Sequence, residues 1–104
     1  MRIRPEAFRQ EDKIREAVKA VEEEMKPDVI RIRWHFGQDW QDEWSIFFRV
    51  LVSDDVVKHR LHETAKRVRE RLDERLDFEE LGVFAYDSFR GESEQAELRD
   101  KAWA

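Results

Sequence analysis

Residues with metal-binding side chains occur together on one predicted helix. His59 and His62 are three residues apart, and Asp55 lies one helical turn before His59. Imidazole and carboxylate groups at this spacing can bind a divalent metal. The apolar stripe of the same helix directs His59 away from the core and places His62 at its edge, so a solvated polar face accounts for both side chains. We therefore predict that the chain has no metal site and no cofactor.

Motifs for catalysis are not evident elsewhere in the sequence. The chain has no cysteine, its three glycines are too scattered for a phosphate-binding loop, and no serine has an obvious histidine partner. Asp39, Asp42 and Glu43 lie in a predicted hairpin loop, where turn chemistry accounts for them. Asp54 and Asp55 begin a predicted helix, where they interact favourably with the helix dipole. We therefore predict that the protein is not an enzyme.

A binding chemistry is indicated by the segment RIRWHF at residues 31–36, in which charged and apolar residues alternate. Successive side chains of a β-strand leave opposite faces, so this segment is typical of a strand with one apolar face. The apolar face belongs to a core. The other face carries Arg31, Arg33 and His35, which can contact water, a protein or a nucleic acid.

Helical and strand periodicities predict the elements that position these residues. Ser53 is the expected N-cap of the second helix, and Gly82 is the expected C-terminal cap of a short turn after it. The apolar stripe of the second helix comprises Val57, Leu61, Ala65, Val68, Leu72 and Leu76. The predicted elements are a helix from residue 5 or 6 to about 25, strands at 29–36 and 44–52, a helix from 54 to about 76, and a strand at 83–89.

The predicted fold class is α+β, with the element order helix-strand-strand-helix-strand. A helical connection makes the second and third strands parallel, and the hairpin keeps the first strand beside the second. The simplest three-stranded sheet then has the order 2-1-3, with the first strand antiparallel to both neighbours. Two helices would cover one face, to which Ile30 and Ile32 point. We expect a single domain at residues 1–104, in which 91–104 is a C-terminal tail or a short helix capped by Ser93.

The opposite face of such a sheet stays open, because two helices can cover only one side. Its basic and aromatic side chains are unusual for a surface that meets only water. The sequence leaves undecided which side of the third strand contributes to it. The predicted partner-binding residues on this open face are Arg31, Arg33, His35, Phe47, Arg49, Leu51, Tyr86 and Arg90.

Three interpretations of the open face follow. The C-terminal tail could fold back so that Trp103 covers Phe47 and its neighbours. The face could instead bind a protein, either a second copy of the chain or a different protein, since Tyr and Arg are prominent at interfaces. It could also bind a nucleic acid, with rings stacking on bases and arginines contacting phosphates. We favour a protein partner, with a homodimer as the simplest form and a small nucleic-acid-binding domain as the alternative.

Composition argues against a dedicated nucleic-acid-binding protein. The chain has 25 acidic and 20 basic residues and a net charge of −5, whereas nucleic-acid-binding domains are usually basic. Charged residues make up 43% of the chain, against the ~25% typical of globular domains.

No apolar segment approaches the ~18 residues of a membrane span, and the N-terminal MRIRPEAFRQ lacks the apolar centre of a signal peptide. A cytoplasmic protein is therefore expected.

The element order is similar to that of type II KH-like domains and of ribosome-maturation-factor N-terminal domains. This resemblance concerns topology alone and does not imply RNA binding, because the GxxG loop with which KH domains contact RNA is missing here. The segments WHFGQDWQDEWSIFFRVLVSD and YDSFRGESEQAELRDKAWA resemble parts of small uncharacterised prokaryotic proteins found near toxin–antitoxin-like genes. That resemblance spans roughly 40 of the 104 residues and implies an antitoxin-like or accessory partner of another protein.

Overall fold

The computed structural model describes residues 4–104, so the first three residues of the predicted domain lie outside the described residues. Its elements confirm the α+β class. Short 3₁₀ turns at Glu6–Arg9 and Lys101–Trp103 precede the first helix and follow the last. Among residues 4–104, no helix has the length and hydrophobicity that crossing a membrane requires. In chain order the elements are α1 (Glu11–Glu24), β1 (Val29–Gln38), β2 (Trp44–Val52), α2 (Asp54–His59), α3 (Leu61–Arg75), α4 (Phe78–Leu81), β3 (Phe84–Gly91) and α5 (Glu92–Leu98).

The sheet has three strands in the order β1-β2-β3, with β1 antiparallel and β3 parallel to the central β2. The parallel relation of the second and third strands is as expected, but the predicted order 2-1-3 is wrong. The segment from α2 to α4 returns the chain directly beside β2, where β3 forms its backbone hydrogen bonds. β1 therefore lies at an edge of the sheet rather than at its centre.

One face of the sheet is covered by α1 and α3, as predicted. Every second residue of β2 points into this core, and these side chains are almost fully buried. Their neighbours in the cluster come from both helices and from β1. The principal members of the core are Ile46, Phe48, Val50 and Val52 of β2, Ile14, Val18 and Val21 of α1, and Val68 and Leu72 of α3.

β3 directs its small and acidic residues toward the helices, which answers the question the sequence leaves open. Asp87 pairs with Phe48 in the sheet and therefore shares the core-side face. Its carboxylate accepts two hydrogen bonds from the guanidinium of Arg69 on α3, at 2.6 and 3.0 Å. The bulkier alternate residues of β3, among them Phe84 and Tyr86, consequently lie on the open face.

A register shift at the start of β1 changes the predicted faces there. The pairing with β2 shifts between Val29 and Arg31. Val29 pairs with Val52 and is fully buried, whereas Ile30, which simple alternation assigns to the core, is only partly buried. An extra residue in one strand reverses the alternation at that point, and a pattern of period two does not reveal it.

The predicted second helix is interrupted at Arg60, which separates α2 from α3. The interruption changes the helical phase, so Val56 is fully buried while Val57 and Leu61, the first members of the predicted stripe, are exposed. Only the later members of the stripe are buried as predicted: Ala65, Val68, Leu72 and Leu76.

Arg60, at the interruption between α2 and α3, also forms an ion pair near the start of β1. Its guanidinium forms ion pairs with Asp28, just before β1, at 2.9 Å and with Asp55 of α2 at 2.7 Å. Hydrogen bonds to Asp55 and then Asp28 raise the pKa of Arg60 above its ordinary value. At the other end of α3, Arg75 forms an ion pair with Glu24 of α1.

Predicted caps are correct at two helix ends and wrong at a third. The hydroxyl of Ser53 accepts a hydrogen bond from the N–H of Val56 at 3.3 Å, and Gly82 follows α4 with a left-handed φ of 72°. Ser93 lies inside α5 instead of capping it. Its N–H and hydroxyl donate to the carboxylate of Asp54, which attaches α5 to the start of α2.

The change of helical phase predicts that substitutions at two adjacent valines lower the free energy of unfolding by very different amounts. Val56→Ala removes two methyl groups from a side chain with 0% exposure and should lower the free energy of unfolding by about 2 kcal/mol. Val57→Ala, at a side chain with 44% exposure, should change it by less than about 0.5 kcal/mol. Urea denaturation of both variants measures the difference. A larger loss for Val57→Ala would show that the continuous stripe predicted from the sequence is correct.

Candidate functional site

All residues predicted for the open face lie on that face in the structure. The pairing places Arg33 beside Arg49 and His35 beside Phe47, which in turn pairs with Tyr86. The remaining predicted residues form another row across the strands: Arg31, Leu51 and Arg90. The face is therefore assembled from all three strands, and its two ends have different surroundings.

The C-terminal tail covers one end of the open face, the row Arg31–Leu51–Arg90, here called the covered end. The side chains of Leu51 and Trp103 are both buried, at 3% and 6% exposure. Nε of Arg31 donates to the carbonyl oxygen of Trp103 at 2.9 Å, and the guanidinium of Arg90 lies 4.4 Å from its ring centroid. The tail thus folds back as one interpretation expected, but Trp103 covers this row and not Phe47.

Further hydrogen bonds hold the tail in this position. Nε of Arg33 donates to the carbonyl oxygen of Ala104 at 2.8 Å. The buried amide of Gln95 donates to the carbonyl oxygen of Asp100 at 2.8 Å and accepts from Arg90 at 2.9 Å. The predicted contact residues Arg31, Leu51 and Arg90 are therefore largely engaged by the chain itself.

Trp103→Ala should release the tail. Loss of the buried ring should lower the free energy of unfolding by about 3 kcal/mol, and trypsin should cleave after Arg99 and Lys101 faster than in the unchanged protein. Leu98→Ala is the matched control, because Leu98 lies in the same tail with 56% exposure and should cost less than about 0.5 kcal/mol. Equal stability and equal cleavage rates in both variants would contradict the docking of the tail.

The other end of the open face carries a row of stacked rings, here called the aromatic ladder: His35, Phe47 and Tyr86. The ring centroids of His35 and Phe47 are 5.1 Å apart with an interplanar angle of 18°. Those of Phe47 and Tyr86 are 5.4 Å apart at 20°. Phe47 thus has a nearly parallel ring on each side, so its ring faces are the least accessible of the three.

Two exposed aromatic residues extend the ladder, and sequence reasoning left both out of the predicted site. Trp40, in the hairpin loop, is 78% exposed, with its ring centroid 5.7 Å from that of Tyr86. Phe84 is 55% exposed and lies two residues before Tyr86 on the same face of β3. Its alternation with Tyr86 is the signal that could have found it. We call the ladder together with Trp40 and Phe84 the exposed end.

Asp39 links the hairpin loop to the exposed end. Its carboxylate accepts hydrogen bonds from the N–H groups of Gln41 at 2.9 Å and Glu43 at 3.1 Å, and from the hydroxyl of Tyr86 at 2.9 Å. Partial desolvation acts to raise the pKa of Asp39, but these hydrogen bonds together lower it below its ordinary value. The bond to Asp39 raises the pKa of Tyr86, which stays a neutral donor. The loop thus forms a rigid turn that is fixed to the ladder.

Arg49 determines the tautomer of His35. Nη1 of Arg49 lies 2.7 Å from Nδ1 of His35. A guanidinium group can only donate, so Nδ1 must accept and the ring proton of neutral His35 is on Nε2. Partial burial and then the charge of Arg49 lower the pKa of His35 below its ordinary value of 6.5. Protonation at Nδ1 would break this bond and place two cations side by side.

Stability should consequently depend on pH through His35. Because the folded-state pKa is lowered, the unfolded state takes up a proton before the folded state does as the pH falls. The contribution of neutral His35 to the free energy of unfolding is therefore fully present above about pH 6.5. It should be lost as the pH falls from there through the folded-state pKa. His35→Gln should flatten the dependence of the urea midpoint on pH in this window. His62→Gln, at an exposed position of α3, is the matched control variant.

The histidines considered for metal binding lie away from the open face. His59 of α2 is 3.9 Å from Asp55, at a solvent-exposed position, and His62 is exposed on α3. Within residues 4–104, no three His, Asp or Glu side chains are grouped as metal ligands would be. The described side chains of the open face can instead contact apolar surfaces and anions, through aromatic rings and guanidinium groups.

Comparison with known proteins does not place the chain in a family. No protein-family model matches the sequence, and no curated protein matches it. Function is therefore inferred from the chemistry and geometry of the open face alone.

Proposed function

We propose that this protein is a non-enzymatic protein-interaction module, and that the exposed end of its open sheet face is the contact surface. The observation that carries the proposal is the exposure of Trp40 and Phe84 beside the half-buried rings of Phe47 and Tyr86. Contiguous exposed aromatic residues are costly in water and usually mark an interaction site. Aromatic rings and arginines are also the side chains that most often dominate binding energies.

The rigidity of the exposed end supports the same proposal. Phe47 lies on the central strand, and Tyr86 is held by its hydrogen bond to Asp39. Arg49 is held by His35. Side chains that are fixed before binding lose little conformational entropy when a partner docks, which favours affinity.

The aromatic ladder favours a protein over a single-stranded nucleic acid. Base stacking requires accessible ring faces. The parallel orientation of His35, Phe47 and Tyr86 uses many of these faces for contacts within the ladder. Nucleic-acid binding through Arg33 and Arg49 remains the alternative function, supported by the absence of acidic residues among the open-face positions of the strands within residues 4–104.

A homodimer is the simplest form of the proposal, because an acidic loop borders one end of the open face and arginines lie nearer its other end. The acidic hairpin loop, with Asp39 and Glu43, lies next to the exposed end. Arg33 and Arg49 lie toward the covered end. A twofold axis running across the strands would bring the acidic loop of each copy toward the arginines of the other. Such a self-complementary surface is what a symmetric dimer requires.

The solution mass tests this form. The protein should dimerise at micromolar concentration, and Trp40→Ser or Phe84→Ser should weaken dimerisation by more than about tenfold. Arg49→Glu should weaken it as well, by placing a carboxylate against the acidic loop. Leu98→Ser is the matched control for loss of an exposed apolar side chain and should leave the dissociation constant unchanged. Sedimentation equilibrium measures all four variants.

Other results would select another function. A monomer at every accessible concentration would exclude the homodimer and leave a different protein partner, consistent with an antitoxin-like or accessory role. Binding of a single-stranded oligonucleotide that weakens steeply with salt, and is lost in Arg49→Glu, would favour the nucleic-acid alternative. A dimer whose stability is unaffected by Trp40→Ser and Phe84→Ser would show that the exposed end is not the contact surface.

A further inference from the structure

The outer edge of β1 presents backbone groups that no strand within residues 4–104 pairs with. The N–H of Ile32 points away from β2, because it donates to the carboxylate of Glu22 on α1 at 2.8 Å. In an antiparallel pair, the backbone N–H and C=O groups of every second residue point away from the partner strand. Trp34 and Phe36 therefore direct these groups away from β2, as Ile32 does. The carboxylate of Glu22 occupies the position that a carbonyl of an added strand would take beside Ile32.

A groove between α1 and β1 runs beside this edge. Its volume is about 580 Å³. The floor is apolar, formed by Val18 and by the core-side residues of β1, including the partly buried Trp34 and Phe36. Charged side chains of α1 with both signs form the outer wall: Glu11, Arg15, Lys19 and Glu22. The groove is therefore suited to apolar side chains that enter from the sheet edge.

We propose that the edge of β1 binds an extended segment of a partner protein in which apolar and acidic residues alternate. An added strand continues the pleat of the sheet, so its side chains beside Trp34 and Phe36 enter the groove. The intervening side chains join the open face next to Arg33 and His35. Opposite charges on neighbouring strands are stabilising, so Asp or Glu fits the position beside Arg33.

The charge of Arg33 disfavours one pairing of this edge with a second copy of β1. An antiparallel pairing centred on Arg33 would place the two Arg33 side chains opposite each other, and like charges there are destabilising. A strand that carries a carboxylate beside Arg33 has an opposite charge at this position and fits the edge better. This inference does not depend on the proposed function, because the groove and the edge amides of Trp34 and Phe36 lie outside the exposed end, and only His35 borders both.

A short peptide of alternating valine and glutamate is the probe. It should protect the amides of Trp34 and Phe36 from hydrogen exchange, and it should bind at least about fivefold more tightly than a peptide of alternating valine and lysine. Arg33→Glu should reverse this preference. Arg67→Glu, at an exposed position of α3, is the matched control and should leave it unchanged.

N-methylation of the peptide separates strand addition from simple charge attraction. If the strand adds antiparallel, methylating the valine nitrogens should abolish binding while methylated glutamates are tolerated. Parallel addition should give the reverse result. Binding that is insensitive to both modifications, equally sensitive to both, or absent would overturn the proposal. Trp40→Ser and Phe84→Ser should not affect peptide binding, so this proposal and the proposed function can fail independently.

Discussion

The fold depends on β2 as the central strand. It forms backbone hydrogen bonds with β1 on one edge and with β3 on the other. Val50 is buried against the helices, and Leu51, on the opposite face, is buried where the C-terminal tail contacts β2. Because neither edge nor either face of its C-terminal half is free, β2 fixes the positions of its neighbours. The free edge of β1 and the layout of the open face both follow from this arrangement.

The open face combines two solutions to the exposure of basic and aromatic side chains on a sheet. At the covered end, carbonyl oxygens of the tail accept hydrogen bonds from Arg31 and Arg33, and a tryptophan ring lies against Arg90. At the exposed end, the rings lie beside one another with nearly parallel planes and remain partly in water. The first solution removes surface from solvent. The second only reduces the cost of exposure, which is why the exposed end remains available for a partner.

Features that arise from local geometry could be predicted from the sequence, whereas features that arise from long-range pairing could not. Alternation along β1 and β2 predicts the open face correctly, because the two-residue period belongs to the strand itself. The strand order depends on where the chain from α2 to α4 returns, and no local pattern encodes that position. The destination of Trp103 is likewise a contact between distant segments.

Two errors have a local cause that simple periodicity conceals. The register shift near Ile30 and the interruption at Arg60 each change the phase of an otherwise regular pattern. A single pattern continued through such a point assigns the residues on one side of it to the wrong face, even though the pattern is regular in each half. For the candidate site, the sequence leaves the faces of β3 undecided for a different reason: its core side carries Asp87, which is held there by an ion pair with Arg69 and not by hydrophobicity.

Arginines in α3 and directly before it form ion pairs with three other parts of the molecule: Arg60, which precedes α3, with the start of β1, Arg69 with β3 and Arg75 with α1. Hydration of charged groups becomes less favourable on heating, so the cost of bringing such groups together falls as the temperature rises. The attachment of α3 to the sheet should therefore weaken less on warming than packing alone would allow. Arg69 and Arg75 should thus account for a larger share of the attachment of α3 to its neighbours at high temperature than at low temperature.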